Sequence, residues 1–163
     1  MNISLPSPRL LVTIVVAVTA AAAGAQTRPD FSGEWVLNRQ ESVLPPPVSD
    51  VESGVVRIEH REPSFRFERR YVIAGMPREA SFTVQTDGAE VAETSAQGLP
   101  TTFTLRWEGS ALVLAMRIEG PKFEATNDVR YELLNDGRRL RATEQGRSPQ
   151  GGTHNAVWIY DRR

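Results

Sequence analysis

Apolar and polar side chains alternate with a period of two along most of the chain, which predicts half-buried β-strands. The segment 65–73 shows this pattern, with Phe65, Phe67 and Tyr71 on one face of the strand and mostly charged residues between them. Past residue 26 no segment repeats apolar residues at helical spacing over three turns, so we expect no helix. The same alternation predicts further strands at 33–38, 55–61, 80–85, 89–94, 102–107, 112–118, 129–133, 139–143 and 156–160.

The connections between these segments are mostly short and predict an antiparallel sheet. Asp87-Gly88 and Asp136-Gly137 are two-residue hairpin signals, because the central positions of a primed turn need positive φ. The short loops cannot hold a parallel crossover, which takes about a dozen residues or more. Two connections are longer. In 39–53 three consecutive prolines favour an extended strap, and 146–152 is a candidate lid.

A sheet of so many short antiparallel strands has to protect its edges, since a long exposed edge invites aggregation. Closing the sheet on itself removes the edges. The chain is therefore predicted to be all-β, an antiparallel up-and-down barrel of about eight to ten strands, with a two-sheet sandwich as the alternative. In a closed barrel of this kind the first strand meets the last.

The beginning of the chain has the pattern of an export signal. A polar start with Arg9 precedes the apolar run 10–23, and Ala23-Gly24-Ala25 follows as a small-x-small cleavage site. The run is shorter than the ~20 apolar residues of a transmembrane helix, although an uncleaved anchor is the alternative. We expect 1–25 to be a signal peptide, 26–163 to form one periplasmic or secreted domain, and no membrane span to remain after cleavage.

Charge and cysteine content narrow the function classes. The 163 residues include 19 Lys and Arg, 20 Asp and Glu, and no cysteine. This near-balance argues against a nucleic-acid partner, which usually requires a basic patch or stripe. Without cysteine the chain has no disulfide, thiolate nucleophile or Cys-ligated metal, so the hydrophobic core alone must stabilise it.

The segment 31–38, FSGEWVLN, contains a G-x-W motif and resembles the opening strand of lipocalin-like (calycin-type) barrels. The longer run FSGEWVLNRQES, followed by prolines, is similar to a group of exported bacterial lipocalin-like domains. In lipocalins the tryptophan plugs the closed end of the barrel, and an arginine near the end of the last strand lies across its ring. The resemblance implies these structural roles for Trp35 and for Arg162 or Arg163.

Two histidines are the strongest candidates for acid–base or metal chemistry. His60 and His154 lie in the predicted second and last strands, which flank the first strand in a closed barrel. Because Zn²⁺ normally takes three or four protein ligands, we expect no metal site and interpret both as surface or turn-proximal residues. A haem held by His154, as in nitrobindin-like barrels, is a distant alternative.

No motif points to catalysis. The chain lacks both G-x-S-x-G and a glycine-rich phosphate loop followed by Lys-Ser/Thr. Its glutamates at 59, 62, 68, 79, 90 and 93 occupy what look like ordinary solvated positions. We therefore predict no catalytic residue, no cofactor and no enzymatic activity.

Arg69 is the unusual residue of the inner faces, because it shares the strand parity of Phe67 and Tyr71. A buried guanidinium needs a partner, and a ligand carboxylate bound bidentately would supply one. A bulge that turns Arg69 outward, or an internal pair with a glutamate, is the alternative. The predicted ligand-binding set also takes in aromatic and methionine positions, which otherwise are simply core: Arg69, Tyr71, Trp107, Met116, Tyr131, Trp158 and Tyr160.

These features favour an exported, non-enzymatic barrel that binds a small hydrophobic or amphipathic ligand. The main alternative is a solid barrel acting as a protein-interaction or envelope-maintenance module through loops such as 43–53. A haem-binding or enzymatic barrel is a distant third. A cavity above about 300 Å³ would favour ligand binding, and a packed interior would favour the interaction module. The sequence indicates no particular oligomeric state.

Overall fold

The computed structural model describes residues 28–95 and 98–163, so the predicted signal peptide at 1–25 lies outside the described residues. The described chain is all-β, as predicted, and contains ten strands. They are β1 (Gly33–Leu37), β2 (Val51–Arg61), β3 (Ser64–Ile73), β4 (Met76–Gln85), β5 (Val91–Thr94), β6 (Pro100–Glu108), β7 (Ala111–Gly120), β8 (Phe123–Leu134), β9 (Arg139–Arg147) and β10 (Thr153–Arg162). Within these residues no helix is long and apolar enough to cross a membrane.

All ten strands belong to one antiparallel sheet, in the order β4-β3-β2-β1-β10-β9-β8-β7-β6-β5. The first strand pairs with the last as predicted, with Trp35 opposite Arg162 and Leu37 opposite Tyr160. The sheet thereby curls into a nearly closed up-and-down barrel. Its two end strands, β4 and β5, do not pair with each other; β4 instead lies beside β6, and we call this junction the seam.

The hairpin predicted at Asp87-Gly88 does not form, because the seam lies at this point of the chain. Strands β4 and β5 do not pair with each other; instead Asp87 forms a β-bridge with Arg106 of β6. The Gly88 amide donates to the Leu105 carbonyl at 2.9 Å. These residues therefore join β4 to β6 and fasten one end of the seam. The other predicted hairpin is present, since β8 and β9 pair directly, but Leu134 pairs with Arg139 and the loop 135–138 is longer than the two-residue turn predicted. Asn135 and Asp136 have φ of 52° and 55°.

One end of the barrel, which we call the closed end, is plugged by Trp35. Its side chain is fully buried, and its Nε1 donates to the Phe31 carbonyl at 3.1 Å. The guanidinium carbon of Arg162 lies 4.2 Å from the centroid of the Trp35 ring. The late arginine expected across this ring is thus Arg162, whereas Arg163 pairs with Glu34 at 2.7 Å.

The strap between β1 and β2 is shorter and less extended than predicted. Strand β2 begins at Val51, and Val43 forms a β-bridge with Val157 of β10. Val48 then donates to the Pro45 carbonyl at 2.9 Å, which closes a turn. The strap follows β10 because that strand extends past β1 and offers free backbone groups. The candidate lid is also short, since β9 continues to Arg147 before the turn.

Candidate ligand-binding cavity

A cavity of about 180 Å³ lies inside the barrel towards the end opposite Trp35, which we call the open end. This volume is below the ~300–1,000 Å³ of sites for drug-sized ligands. The barrel is therefore neither solid nor a wide calyx. The lining residues come from seven strands: Phe67, Arg69, Tyr71, Ala80, Ser81, Phe82, Phe103, Leu114, Met116, Asn127, Val129, Tyr131, Ala142, Glu144, Trp158 and Tyr160.

Most of the predicted ligand-binding set lines this cavity: Arg69, Tyr71, Met116, Tyr131, Trp158 and Tyr160. Trp107 does not, which corrects its assignment to the same wall. Its indole lies at the closed end, where Nε1 donates to Glu62 at 2.7 Å. Strand parity indicates that Trp107 faces inward but does not indicate its height along the barrel axis.

Three tyrosines and Trp158 form the aromatic wall of the cavity. Tyr71 stacks on Trp158 with ring centroids 5.3 Å apart, and the hydroxyls of Tyr71 and Tyr160 are 2.5 Å apart. Burial raises the pKa values of Tyr71, Tyr131 and Tyr160 above the ordinary value, so all three hydroxyls stay protonated at neutral pH.

The position of Tyr71 depends on a glycine in the neighbouring strand. Gly54 of β2 is paired with Tyr71, and a Cβ at this glycine would collide with the tyrosine ring. The ring therefore lies flat across the backbone of β2, where it reaches Trp158. Glycine is required here for close packing of a ring against the strand.

Phenylalanines fill the seam beside the cavity. Phe67 of β3 stacks on Phe82 of β4 with centroids 5.1 Å apart, and Phe82 stacks on Phe103 of β6 at 5.7 Å. Side chains thus replace the missing backbone hydrogen bonds between β4 and β6 at this level. This packing provides an apolar surface that suits an alkyl chain or a ring.

Arg69 borders the cavity but is exposed, in contrast to the buried guanidinium considered from the sequence. Strand β3 pairs with β4 without a register shift, so no bulge turns Arg69 outward. Its guanidinium carbon lies 5.5 Å from the Tyr71 ring centroid. Contact with solvent and with an aromatic face removes the need for a buried counter-charge.

Two polar residues of the cavity, Glu144 and Asn127, were missed by the sequence analysis. The Glu144 carboxylate accepts from Trp158 Nε1 at 2.5 Å and lies 3.3 Å from His154 Nε2. Both residues continue the inward parity of apolar neighbours, Ala142 in β9 and Val129 in β8. Strand parity, the signal that points to Arg69, extends to these polar ends of β8 and β9 and is the sequence feature that marks both residues.

A second polar cluster lies at the closed end and corrects two predictions. His60 is 8% exposed rather than a surface residue, and its Nδ1 accepts from the Phe31 amide at 3.4 Å. Its Nε2 therefore carries the proton and donates to Glu62 at 3.2 Å. Glu62 is not an ordinary solvated carboxylate, because it also accepts from Thr86 at 2.6 Å and from Trp107 at 2.7 Å.

Hydrogen bonds together have a larger effect than burial on the pKa of the Glu62 carboxyl in this cluster. Burial acts to raise the pKa of Glu62, but hydrogen bonds from Thr86, Trp107 and His60 outweigh burial and hold that pKa below its ordinary value. The cluster links β2, β4 and β6, and so it holds the seam together at the closed end.

The histidines lie at opposite ends of the barrel and cannot share a ligand. His60 packs beside Phe31, whereas the His154 ring lies over Gly146 of β9. Among the described residues no group of three metal-ligating side chains is present. His154 also does not line the cavity, so the geometry offers no axial ligand to a haem there.

The fold is similar to that of several solved lipid-binding barrels. The REP1-NXSQ fatty acid transporter is 16% identical, with 82% of this chain and 96% of that chain covered and a TM-score of 0.54. The apo form of lipid binding protein 8 from Caenorhabditis elegans is 12% identical, with coverages of 82% and 95% and a TM-score of 0.58. The zebrafish ileal bile acid-binding protein, complexed with cholic acid, is 18% identical, with coverages of 82% and 98% and a TM-score of 0.53.

No protein-family model and no curated protein sequence matches the chain. The structural similarities extend over almost the whole of the described residues, and they support the fold as an antiparallel up-and-down β-barrel.

Proposed function

We propose that this chain is an exported, non-enzymatic barrel that binds one small hydrophobic or amphipathic molecule in the open-end cavity. The observation that carries the proposal is a partly open cavity of about 180 Å³, walled largely by aromatic rings, within an otherwise packed interior. Ligand sites are commonly concave and mostly apolar, with a few polar groups that set orientation. Six of the side chains selected from strand parity border this space.

The similar folds support the same class of ligand. The names of the neighbouring proteins describe a fatty acid transporter, a lipid binding protein and a bile acid-binding protein. The proposed ligand is smaller than most such molecules or projects in part through the seam, where Phe82 and Phe103 offer an apolar surface.

Export and family are part of this proposal. The n-region, apolar run and small-x-small site of 1–25 support a cleaved signal peptide and a periplasmic or secreted domain at 26–163. The G-x-W strand with the Trp35–Arg162 stack supports an exported bacterial lipocalin-like domain.

A plugged-cavity variant tests the proposal. Ala80 lines the cavity from an exposed position of β4, so Ala80→Trp should fill the space at little cost in folding. We expect octanol to raise the Tm of the wild-type protein, because a ligand that binds only the folded state stabilises it by ~2.7 kcal/mol at 100 times its Kd. Ala80→Trp should lose this shift.

The matched control is Ala92→Trp, on the exposed face of β5. It should retain the octanol shift. Equal shifts for wild type and Ala80→Trp would show that octanol binds elsewhere. No shift of the wild-type protein with an alkyl alcohol, amine or acid would reject the proposal and favour the interaction module.

A further inference from the structure

The cavity has a polar corner at Glu144 and Asn127 in a mostly apolar wall. The Glu144 side chain is 14% exposed and accepts from Trp158 and His154. A carboxylate has about four acceptor sites, so these two partners leave capacity towards the cavity. Nearby, Asn127 Oδ1 is buried without a hydrogen-bond partner, and no other side-chain nitrogen or oxygen of the described residues is.

This corner also carries a negative charge with little to balance it. The indole N–H of Trp158 is neutral, and an imidazole such as that of His154 supplies a positive charge only when it is protonated. Burial of a carboxylate and an unpartnered amide oxygen costs free energy unless donors satisfy them. A ligand group that donates several hydrogen bonds and carries a positive charge would satisfy the carboxylate.

The surroundings of Glu144 suit a cation as well. The rings of Trp158, Tyr71 and Tyr160 stack beside the carboxylate, and the faces of such rings attract cations. Arg69 does not supply this cation beside Glu144. It contacts the ring of Tyr71, which stacks on Trp158, which in turn donates to Glu144, so two aromatic rings intervene in this series of contacts.

We propose that the cavity selects amphiphiles with a protonated primary amine as the head group, a conclusion that rests on the proposed function. The ammonium group donates to Glu144, and the apolar part packs against Phe82, Phe103 and Leu114. An alkyl carboxylate is disfavoured, because its head group would place a second negative charge next to Glu144.

Three ligands with the same alkyl chain test this selectivity: octylamine, octanol and octanoate. Octylamine is protonated at neutral pH, since alkyl ammonium groups have pKa values near 10.4. In calorimetric titrations of the purified protein we expect octylamine to bind about tenfold more tightly than octanol, and octanoate to bind most weakly.

Substitutions in the corner locate the preference. Glu144→Gln should bring octylamine down to the affinity of octanol, whereas Glu119→Gln on the exposed outer face of β7 should leave the ratio unchanged. Asn127→Asp adds a carboxylate to the corner and should increase the octylamine preference, which gives a second readout if Glu144→Gln folds poorly.

The outcomes separate the two proposals. Octanol binding without a preference for octylamine, or a preference for octanoate, would overturn the amine selectivity and leave the ligand-binding function standing. An octylamine preference that survives Glu144→Gln would also overturn it. No binding of any of the three ligands would overturn both proposals.

Discussion

The two ends of the barrel use the same three residue types in different surroundings. At the closed end Glu62 is bonded to Trp107 and His60, and at the open end Glu144 is bonded to Trp158 and His154. The closed-end carboxylate has a further donor in Thr86 at 2.6 Å and an ion pair with Arg28 at 3.4 Å. The open-end carboxylate instead borders a cavity beside the unpartnered Asn127 oxygen.

This difference separates a structural cluster from a candidate site. Where the protein supplies all donors to a carboxylate, the cluster holds strands together and has no capacity for a ligand. Where donors are missing next to an empty space, the same residue types have capacity that a ligand can use. We therefore expect substitutions at the closed end to reduce stability and those at the open end mainly to alter binding.

The largest effect is expected at the plug of the closed end. Trp35→Ala should lower the free energy of unfolding by ~3–5 kcal/mol, because it removes a fully buried indole and leaves a void. Chemical denaturation of the two proteins measures the difference. Val43→Ala, at a position 63% exposed, is the control and should change stability by less than ~0.5 kcal/mol.

A loss below ~1 kcal/mol on Trp35→Ala would contradict the plug role, since even partial relaxation of the void leaves a larger cost.

The second-largest loss of stability is expected at Glu62, and it depends on pH. Glu62→Gln should destabilise the protein by ~1–3 kcal/mol at neutral pH, because hydrogen bonds to a charged acceptor are replaced by weaker ones. The folded-state pKa of Glu62 lies below its ordinary value of 4.5, so its contribution is fully present above that value. The contribution is lost as the pH falls through the lower, folded-state pKa.

Denaturation as a function of pH measures this contribution. The stability of wild type should fall more steeply below about pH 4.5 than that of Glu62→Gln. Glu59→Gln on the outer face of β2, where the carboxylate is 58% exposed, should retain the wild-type slope. Equal slopes for wild type and Glu62→Gln would show that the closed-end cluster does not hold a charged carboxylate.

The smallest effects are expected when one arginine at each end of the barrel is replaced by alanine. Arg162→Ala should cost ~1–2 kcal/mol, because Arg162 covers Trp35 and donates to the carbonyls of Ser32 and Gly137, each at 2.7 Å. Arg69→Ala should cost less than ~0.5 kcal/mol, since this exposed side chain contacts one aromatic ring. Equal losses in thermal unfolding would contradict the division between a structural and a binding end.

Strand parity explains which site residues the sequence reveals. Tyr71, Trp158 and Tyr160 lie on the inner face because side chains of a strand alternate between its two faces, a local property of the backbone. The same rule places Arg69, Glu144 and Asn127 at the cavity. Parity does not give the height of a residue along the barrel, and for that reason Trp107 was assigned to the wrong end.

The sequence by itself determined the strands, their inward faces and the meeting of the first strand with the last, since these follow from alternation and short connections. The tertiary structure alone decided where the seam lies and which of the two carboxylates, Glu62 or Glu144, has all its hydrogen-bond donors within the protein. Trp107 and Glu62 are 45 residues apart, and Asp87 pairs with Arg106 rather than within its own turn. Such contacts depend on how a twisted sheet closes in space, which no local pattern of residues specifies.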